Sequence, residues 1–128
     1  MPTILIADDE PNLRLLVAAT LAAEDCEIVE AGDGDQAWAL LQQHRPQVAI
    51  LDIQMPGRSG LDLIRAIRSD PTLRSTKVIA LTSKARPTDI AAGLAAGFDI
   101  YLTKPFLPVE LLTTIEQALN GGIRGETA

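Results

Sequence analysis

The sequence predicts one α/β domain in which five parallel strands form a doubly wound sheet flanked by five helices. Short apolar runs alternate five times with stretches whose apolar residues recur at every third or fourth position. This alternation is typical of a parallel sheet that carries helices on both faces. A length of 128 residues and a hydrophobic content of 47% suit a single domain with its own core.

The predicted strands differ in how continuously apolar they are. The first, third and fourth are apolar throughout, which indicates strands covered on both faces. The second alternates polar and apolar residues, which indicates a more exposed strand at the edge of the sheet. In chain order the predicted strands are Thr3–Ala7, Glu27–Ala31, Val48–Leu51, Lys77–Leu81 and Asp99–Leu102.

The predicted helices follow the strands and are marked by apolar stripes and by end signals. Asp33-Gly34 opens the second helix, Gly97 closes the Ala-rich fourth, and Gly121-Gly122 ends the fifth. We expect the domain to span residues 1–121 and residues 122–128 to form a C-terminal tail or linker stub. The stripes are Leu13, Leu16, Val17 and Leu21; Ala37, Leu40 and Leu41; Leu61, Ile64 and Ile67; Ile90 and Leu94; and Leu111, Leu112, Ile115 and Leu119.

Composition excludes several function classes. The net charge of −6 argues against direct nucleic-acid binding by this chain, because a phosphate backbone attracts basic surfaces. The longest mostly apolar stretch, Leu15 to Ala23, is too short to span a membrane. The acids Asp8 and Asp9 interrupt the place where a signal peptide would be apolar, and the single Cys26 cannot form an internal disulfide. We therefore expect a cytoplasmic protein.

Polar residues stand at the ends of the predicted strands. Asp8 and Asp9 follow the first strand, and Asp52 follows the apolar run of the third. Thr82 ends the fourth strand and Lys104 follows the fifth. A parallel sheet brings the carboxyl ends of its strands to one edge, where ligands bind in open α/β folds. We therefore expect these five residues to lie close together.

These residue types suit phosphoryl chemistry. Neighbouring carboxylates repel one another, and a hard divalent cation such as Mg²⁺ removes that repulsion. An aspartate can act as a nucleophile toward a phosphoryl group. Such a transfer depends mainly on charge stabilisation, which a metal ion, a lysine ammonium and a threonine hydroxyl can supply.

Four motifs in this order resemble those of the response-regulator receiver domains of two-component systems, the CheY-like superfamily. The resemblance covers roughly residues 3–119 and implies a flavodoxin-like fold with strand order 2-1-3-4-5. The motifs are Asp8-Asp9, Ile50-Leu51-Asp52-Ile53-Gln54-Met55-Pro56 with Gly60, Leu81-Thr82-Ser83, and Lys104-Pro105-Phe106.

The resemblance implies a signalling switch rather than an enzyme, one that promotes only its own phosphorylation and dephosphorylation. Asp52 would accept a phosphoryl group from a phosphohistidine of a sensor histidine kinase or a histidine phosphotransfer protein. Thr82 and Lys104 would bind that group, and the output partner stays open. Mg²⁺ is the implied cofactor, Mn²⁺ suits the same ligands, and the implied ligands are Asp8, Asp9, Asp52 and the backbone carbonyl of Gln54.

The resemblance also implies a cis Lys104-Pro105 bond and a switch aromatic at Tyr101. Phosphorylation would draw Thr82 toward the phosphoryl group, and Tyr101 would turn inward into the vacated space. Ordinary half-buried packing of Tyr101 is the alternative. We further predict that Gln54 and Lys84, which follow Asp52 and Thr82 by two residues, control the lifetime of the phosphoryl bond.

Two other functions compete with the receiver. A haloacid-dehalogenase-like phosphatase also uses a strand-end aspartate, but it normally carries a second acid two residues later, where this chain has Gln54. A degenerate receiver-like binding module would lack some of the acids or the lysine, and this chain keeps them all.

Asp8 and Asp9 could also serve only as caps of the first helix, a task that Glu10 and Asn12 can perform.

Overall fold

The computed structural model describes residues 1–83 and 86–120 in full and the backbone of residues 126–127. Strands and helices alternate along the chain, as predicted. The strands are β1 (Thr3–Ala7), β2 (Glu27–Ala31), β3 (Val48–Asp52), β4 (Lys77–Thr82), β5 (Ile100–Thr103) and β6 (Glu126–Thr127). The helices are α1 (Pro11–Leu21), α2 (Gly34–His44), α3 (Gly60–Ser69), α4 (Pro87–Ala96) and α5 (Pro108–Leu119).

All strands of the sheet run parallel, in the order β2-β1-β3-β4-β5-β6. The five predicted strands therefore have the predicted order, with β2 at one edge, and the two-residue β6 is added beside β5. The strands β3 and β4 each extend one residue beyond their apolar runs. Asp52 and Thr82 consequently belong to the sheet, where Asp52 pairs with Leu81 and Thr82 pairs with Thr103.

The sheet separates two hydrophobic layers. Ile4 and Ile6 of β1 face α1 and α5, whereas Leu5 and Ala7 face the layer formed with α2 and α3. The central strand β3 is buried at all five positions. Parallel strands covered on both faces are expected to be apolar throughout, and the buried sheet gives the strand ends a rigid support.

The loop that follows Asp52 is fixed where it enters α3 and again near its middle. The Ser59 hydroxyl accepts a hydrogen bond from the Asp62 N–H (3.1 Å), and Asp62 Oδ2 accepts one from the Ser59 N–H (3.2 Å). This capping box begins α3. Farther back, the Gly34 N–H donates to the Pro56 carbonyl (3.0 Å). A Cβ at Gly34 would overlap the Arg58 carbonyl, so the loop lies directly on the start of α2.

Within the described part of the chain, no helix combines the length and the apolar character that crossing a bilayer requires. Of the predicted tail, residues 122–125 and 128 lie outside the described residues, and residues 126–127 form β6.

Candidate functional site

Three consecutive acids connect β1 to α1. The Asp8 side chain is fully buried, whereas Asp9 and Glu10 are exposed. One carboxylate oxygen from each lies within 4.8 Å of the others. Asp8 Oδ1 accepts a hydrogen bond from the Glu10 N–H (2.8 Å), and the Asp8 carbonyl accepts one from Arg14 (2.7 Å). The buried acid is thus held firmly while the exposed acids face solvent.

Asp8 Oδ2 is an incompletely satisfied buried atom. It lies 2.8 Å from Lys104 Nζ, but the contact lacks hydrogen-bond geometry. Among the described residues, no contact to this oxygen has the geometry of a hydrogen bond. Buried polar atoms normally have a hydrogen-bond partner, so an exception calls for an explanation such as a bound ion.

Asp52 is the last residue of β3 and is 6% exposed. Its Oδ1 accepts a hydrogen bond from the Gln54 N–H (3.0 Å), and its Oδ2 accepts one from Lys104 Nζ (3.1 Å). Burial raises the pKa of Asp52 above its usual value, and the negative charge of Asp8 adds to the rise. The Gln54 and Lys104 donors oppose the rise without cancelling it.

Lys104 extends from the end of β5 into the acidic cluster. Its Nζ lies 2.8 Å from Asp8, 3.1 Å from Asp52 and 3.4 Å from Glu10. Burial alone would lower the pKa of Lys104, but the carboxylates of Asp8 and Asp52 raise it well above its usual value. The ammonium therefore stays charged at neutral pH. The bond between Lys104 and Pro105 is cis, as expected.

Glu10 belongs to the candidate site, although its sequence position predicts only a possible helix cap. It occupies the N-cap position of α1 but makes no side-chain cap hydrogen bond. Its carboxylate instead lies beside Lys104 and within the acidic cluster. Its place directly after Asp8-Asp9 was the one available signal.

An open polar cleft of about 400 Å³ lies over these residues. It brings together all the predicted site residues in the described chain except Asp8, which is buried, and Tyr101, which lines a neighbouring cavity. Lys84 lies outside the described residues. The cleft is lined by Asp9, Glu10, Asp52, Gln54, Thr82, Ser83 and Lys104.

The side chain of Tyr101, in β5, is buried rather than exposed to solvent. The residue is 1% exposed, and its hydroxyl donates a hydrogen bond to the Asp89 carbonyl in α4 (3.0 Å). Its ring meets Phe98 edge to face, with centroids 6.0 Å apart. Burial, and then the charge of Asp89, raise the pKa of Tyr101. The ring thus occupies the inward position that the resemblance associates with phosphorylation, and its movement stays a prediction.

A search against protein families matches residues 4–116 to the response regulator receiver domain. The chain belongs to this family. Response regulator GtcR of Aneurinibacillus migulanus is 42% identical over 118 residues, which are 92% of this chain and 48% of that protein. The probable transcriptional regulatory protein TcrX of Mycobacterium tuberculosis is 42% identical over 119 residues, which are 92% and 50% of the two chains.

Solved structures also resemble this receiver domain. Chemotaxis response regulator CheY4 of Vibrio cholerae is 34% identical with a TM-score of 0.88, and the match covers 93% of this chain and 99% of that one. A structure described as the Mn²⁺-bound form of response regulator Rcp1 is 27% identical with a TM-score of 0.79, covering 91% and 90%. This receiver domain spans about half the length of the curated relatives it matches.

Family and fold agree on a signalling domain rather than a conventional enzyme. The predicted CheY-like fold is confirmed by its strand order and by these neighbours. The same findings do not favour a haloacid-dehalogenase-like phosphatase or a degenerate binding module.

Proposed function

We propose that this receiver domain accepts a phosphoryl group from a phosphohistidine donor onto Asp52 and thereby switches a signalling output. The observation that carries the proposal is the 3.1 Å contact between Asp52 Oδ2 and Lys104 Nζ at the base of an open polar cleft. The cleft thus combines the Asp52 carboxylate, the charged Lys104 ammonium and room for a phosphoryl donor. The acidic cluster of Asp8, Asp9 and Glu10 borders the same point.

The transfer exchanges one bond to phosphorus for another. An Asp52 carboxylate oxygen forms the O–P bond while the P–N bond of the phosphohistidine breaks, and the electron pair of that bond stays on the imidazole nitrogen. Lys104 neutralises negative charge on the phosphoryl oxygens. Thr82, at the end of the neighbouring strand and in the same cleft, donates its hydroxyl to a phosphoryl oxygen.

The acidic residues fit a hard divalent cation. Among the described residues, the buried Asp8 Oδ2 makes no well-aligned hydrogen bond, and oxygen atoms from three acids lie within 4.8 Å of one another. Mg²⁺ prefers such oxygen ligands, and Mn²⁺ accepts them. When bound, the cation would supply positive charge that stabilises the phosphoryl oxygens. The residues that would hold it are Asp8, Asp9, Asp52 and Gln54 through its carbonyl, with Glu10 as an additional candidate.

The lifetime of the phosphoryl bond and the partners belong to the same proposal. Gln54 lines the cleft, where its side chain limits the approach of water to Asp52, and Lys84 is proposed to act with it. The donor is a sensor histidine kinase or a histidine phosphotransfer protein. Relatives are described as DNA-binding response regulators, yet the net charge of −6 makes direct nucleic-acid binding by this chain unfavourable.

Intact-mass spectrometry after incubation with acetyl phosphate tests the proposal. With Mg²⁺, wild type should gain the mass of one phosphoryl group, and with EDTA it should not. Asp52→Ala should gain none. Asp25 is an exposed acid before β2, at the edge of the sheet away from the site, and Asp25→Ala should match wild type. An adduct that persists in Asp52→Ala would place the acceptor elsewhere and overturn the assignment.

The same samples measure the lifetime. After acetyl phosphate is removed, the labelled fraction is followed over time in wild type, Gln54→Ala and Lys84→Ala. Changed half-lives would support the assigned roles, and half-lives equal to that of wild type would contradict them.

A further inference from the structure

The fourth helix contains one residue that its own sequence does not explain. α4 is rich in alanine, the strongest helix former, yet Gly93 lies in its interior and is buried. Glycine is the weakest helix former apart from proline. A helix-weakening residue among alanines therefore points to a packing requirement at that position.

The requirement is the side chain of Tyr101. A Cβ built on Gly93 would overlap the Tyr101 hydroxyl, and it would lie 2.5 Å from Cζ and 2.8 Å from Cε1 of the same ring. These distances are far below ordinary van der Waals contact. The tyrosine thus rests in a notch on α4 that exists only because residue 93 has no side chain.

The notch also holds the hydroxyl through a hydrogen bond. Tyr101 donates to the Asp89 carbonyl, one helical turn before Gly93 (3.0 Å). Contact and hydrogen bond therefore fix the ring at the same place on the helix. Because β5 carries Tyr101 and α4 carries the notch, the ring connects the two elements.

A cavity of about 220 Å³ extends from this notch toward the phosphoryl cleft. Gln54 and Thr82 line both spaces, so a change at Thr82 has a direct path to the ring. The cavity is lined by Ile53, Gln54, Leu61, Thr82, Asp89, Ala92, Gly93 and Tyr101.

We propose that Gly93 is a positioning residue whose missing side chain determines that the Tyr101 ring lies inward. Any side chain at position 93 drives the ring out of the notch and breaks its hydrogen bond to Asp89. The inward position itself does not depend on the proposed function. Its effect on the chemistry at Asp52 does, because that effect requires a phosphoryl group bound beside Thr82.

The first experiment reads the position of the ring through its chemical accessibility. Tyr101 is the single tyrosine of the chain, so acetylation of tyrosine by N-acetylimidazole, followed by peptide mass spectrometry, reports on this residue alone. Gly93→Ala should be acetylated about tenfold faster than wild type or more, since the outward ring changes from a minor conformer to the major one. Ala95→Ser also adds one heavy atom to α4, at an exposed position, and should match wild type.

An acetylation rate for Gly93→Ala equal to that of wild type would overturn the proposal. Should Gly93→Ala fail to fold, the double variant Gly93→Ala/Tyr101→Ala provides the decision. If the ring causes the clash, removing it must restore the cooperative unfolding transition. A double variant that stays unfolded would assign the defect to another cause and reject the notch.

The second experiment measures the affinity for beryllofluoride, a phosphoryl mimic, in the presence of Mg²⁺. Gly93→Ala should weaken binding by about 5- to 150-fold, the usual range of coupling between two sites. The same substitution should have no effect in a Tyr101→Ala background. Fast acetylation with unchanged affinity would reject the effect on Asp52. Absence of binding in wild type would instead refute the proposed function, and acetylation would still test the notch.

Discussion

Two ion pairs in this domain are buried to the same extent but differ in their surroundings. Arg68 of α3 pairs with Asp99 at 2.7 Å, and Lys104 pairs with Asp8 at 2.8 Å. Both cationic side chains are 17% exposed, and both of these acids are almost completely buried. Burial alone therefore does not distinguish a structural pair from a functional one.

The Arg68 pair is surrounded by matched hydrogen bonds. Its guanidinium donates to several backbone carbonyls in addition to the carboxylate, and Asp99 Oδ2 also accepts from the Val78 N–H at 2.8 Å. A planar guanidinium suits such convergent acceptors. The carbonyl acceptors are those of Gly97 (3.0 and 2.8 Å), Arg74 (2.8 Å) and Thr76 (2.8 Å).

The Lys104 pair has an excess of negative charge. One ammonium faces three carboxylates, and among the residues described Asp8 Oδ2 makes no well-aligned hydrogen bond. The Arg68–Asp99 pair and its hydrogen bonds are called the Arg68 clamp below. The comparison teaches that complete hydrogen bonding is typical of such a structural pair, whereas an excess of negative charge is typical of a site that a ligand completes. The predictions below test this difference, from the largest expected effect to the smallest.

Substitution of Arg68 should produce the largest loss of stability. Arg68→Met should lower the free energy of unfolding by about 3–5 kcal/mol, because it removes the guanidinium charge that balances the buried Asp99 carboxylate. Urea denaturation measures the change. Arg65→Met alters an exposed arginine of the same helix and should stay within about 0.5 kcal/mol of wild type. Equal losses in both variants would show that the Arg68 network is not a clamp.

Mg²⁺ should stabilise the folded domain by binding at the acidic cluster, without involving the Arg68–Asp99 pair. At a concentration ten times its dissociation constant, the ion should raise the free energy of unfolding by about 1.4 kcal/mol. The gain should fall sharply in Asp8→Asn and should persist in Asp25→Asn, whose acid lies at the opposite edge of the sheet. A gain of equal size in Asp8→Asn would show that Mg²⁺ binds somewhere other than the acidic cluster.

Removing the charge of Asp52 should stabilise the metal-free protein. Because its pKa is raised in the folded state, the stability that its protonated form contributes is present below about pH 3.9 and is lost as pH rises through the raised pKa. In EDTA at neutral pH, the free energy of unfolding of Asp52→Asn should therefore exceed that of wild type by about 1 kcal/mol, the size of a typical single-substitution effect. The advantage should shrink on acidification, as followed by urea midpoints at several pH values.

Asp62 provides a control of opposite sign for that measurement. The Ser59 hydrogen bonds hold the pKa of Asp62 below its usual value, so its contribution to stability is present at neutral pH and is lost as pH falls. Asp62→Asn should consequently be less stable than wild type at neutral pH and should approach it in acid. The same pH trend in both variants would contradict the assigned causes.

The sequence is sufficient to predict five strands of the sheet, their order, and the meeting of most candidate-site residues at one edge. The apolar runs end at the carboxyl edge of the sheet or one residue before it, so the polar residues that follow them, Asp8 and Asp52 among them, meet at that edge. Lys104 followed from the same rule and was reinforced by its motif. Strand ends differed by one residue because Asp52 and Thr82 continue the hydrogen-bonded ladder despite their polar side chains.

Features that depend on contacts between distant loops could not be predicted in this way. Arg68 reads as one more charge on the polar side of α3, because its acceptors come from the loop before β4 and from the end of α4. The role of Gly93 depends on a ring eight positions later in another element. The sequence position of Glu10 predicts a helix cap, and only its contact with Lys104 in the folded chain places it in the site.

The acceptor pocket is assembled from parts of the chain that are remote from one another. Asp52 and Lys104 are separated by 52 positions, and Glu10 and Lys104 by 94. Such a pocket does not exist in a nascent chain, a proteolytic fragment or a partly unfolded molecule, because no local segment contains its parts. Signal reception is thereby restricted to molecules that have completed their fold, and the fraction of intact protein sets an upper limit on the amplitude of the response.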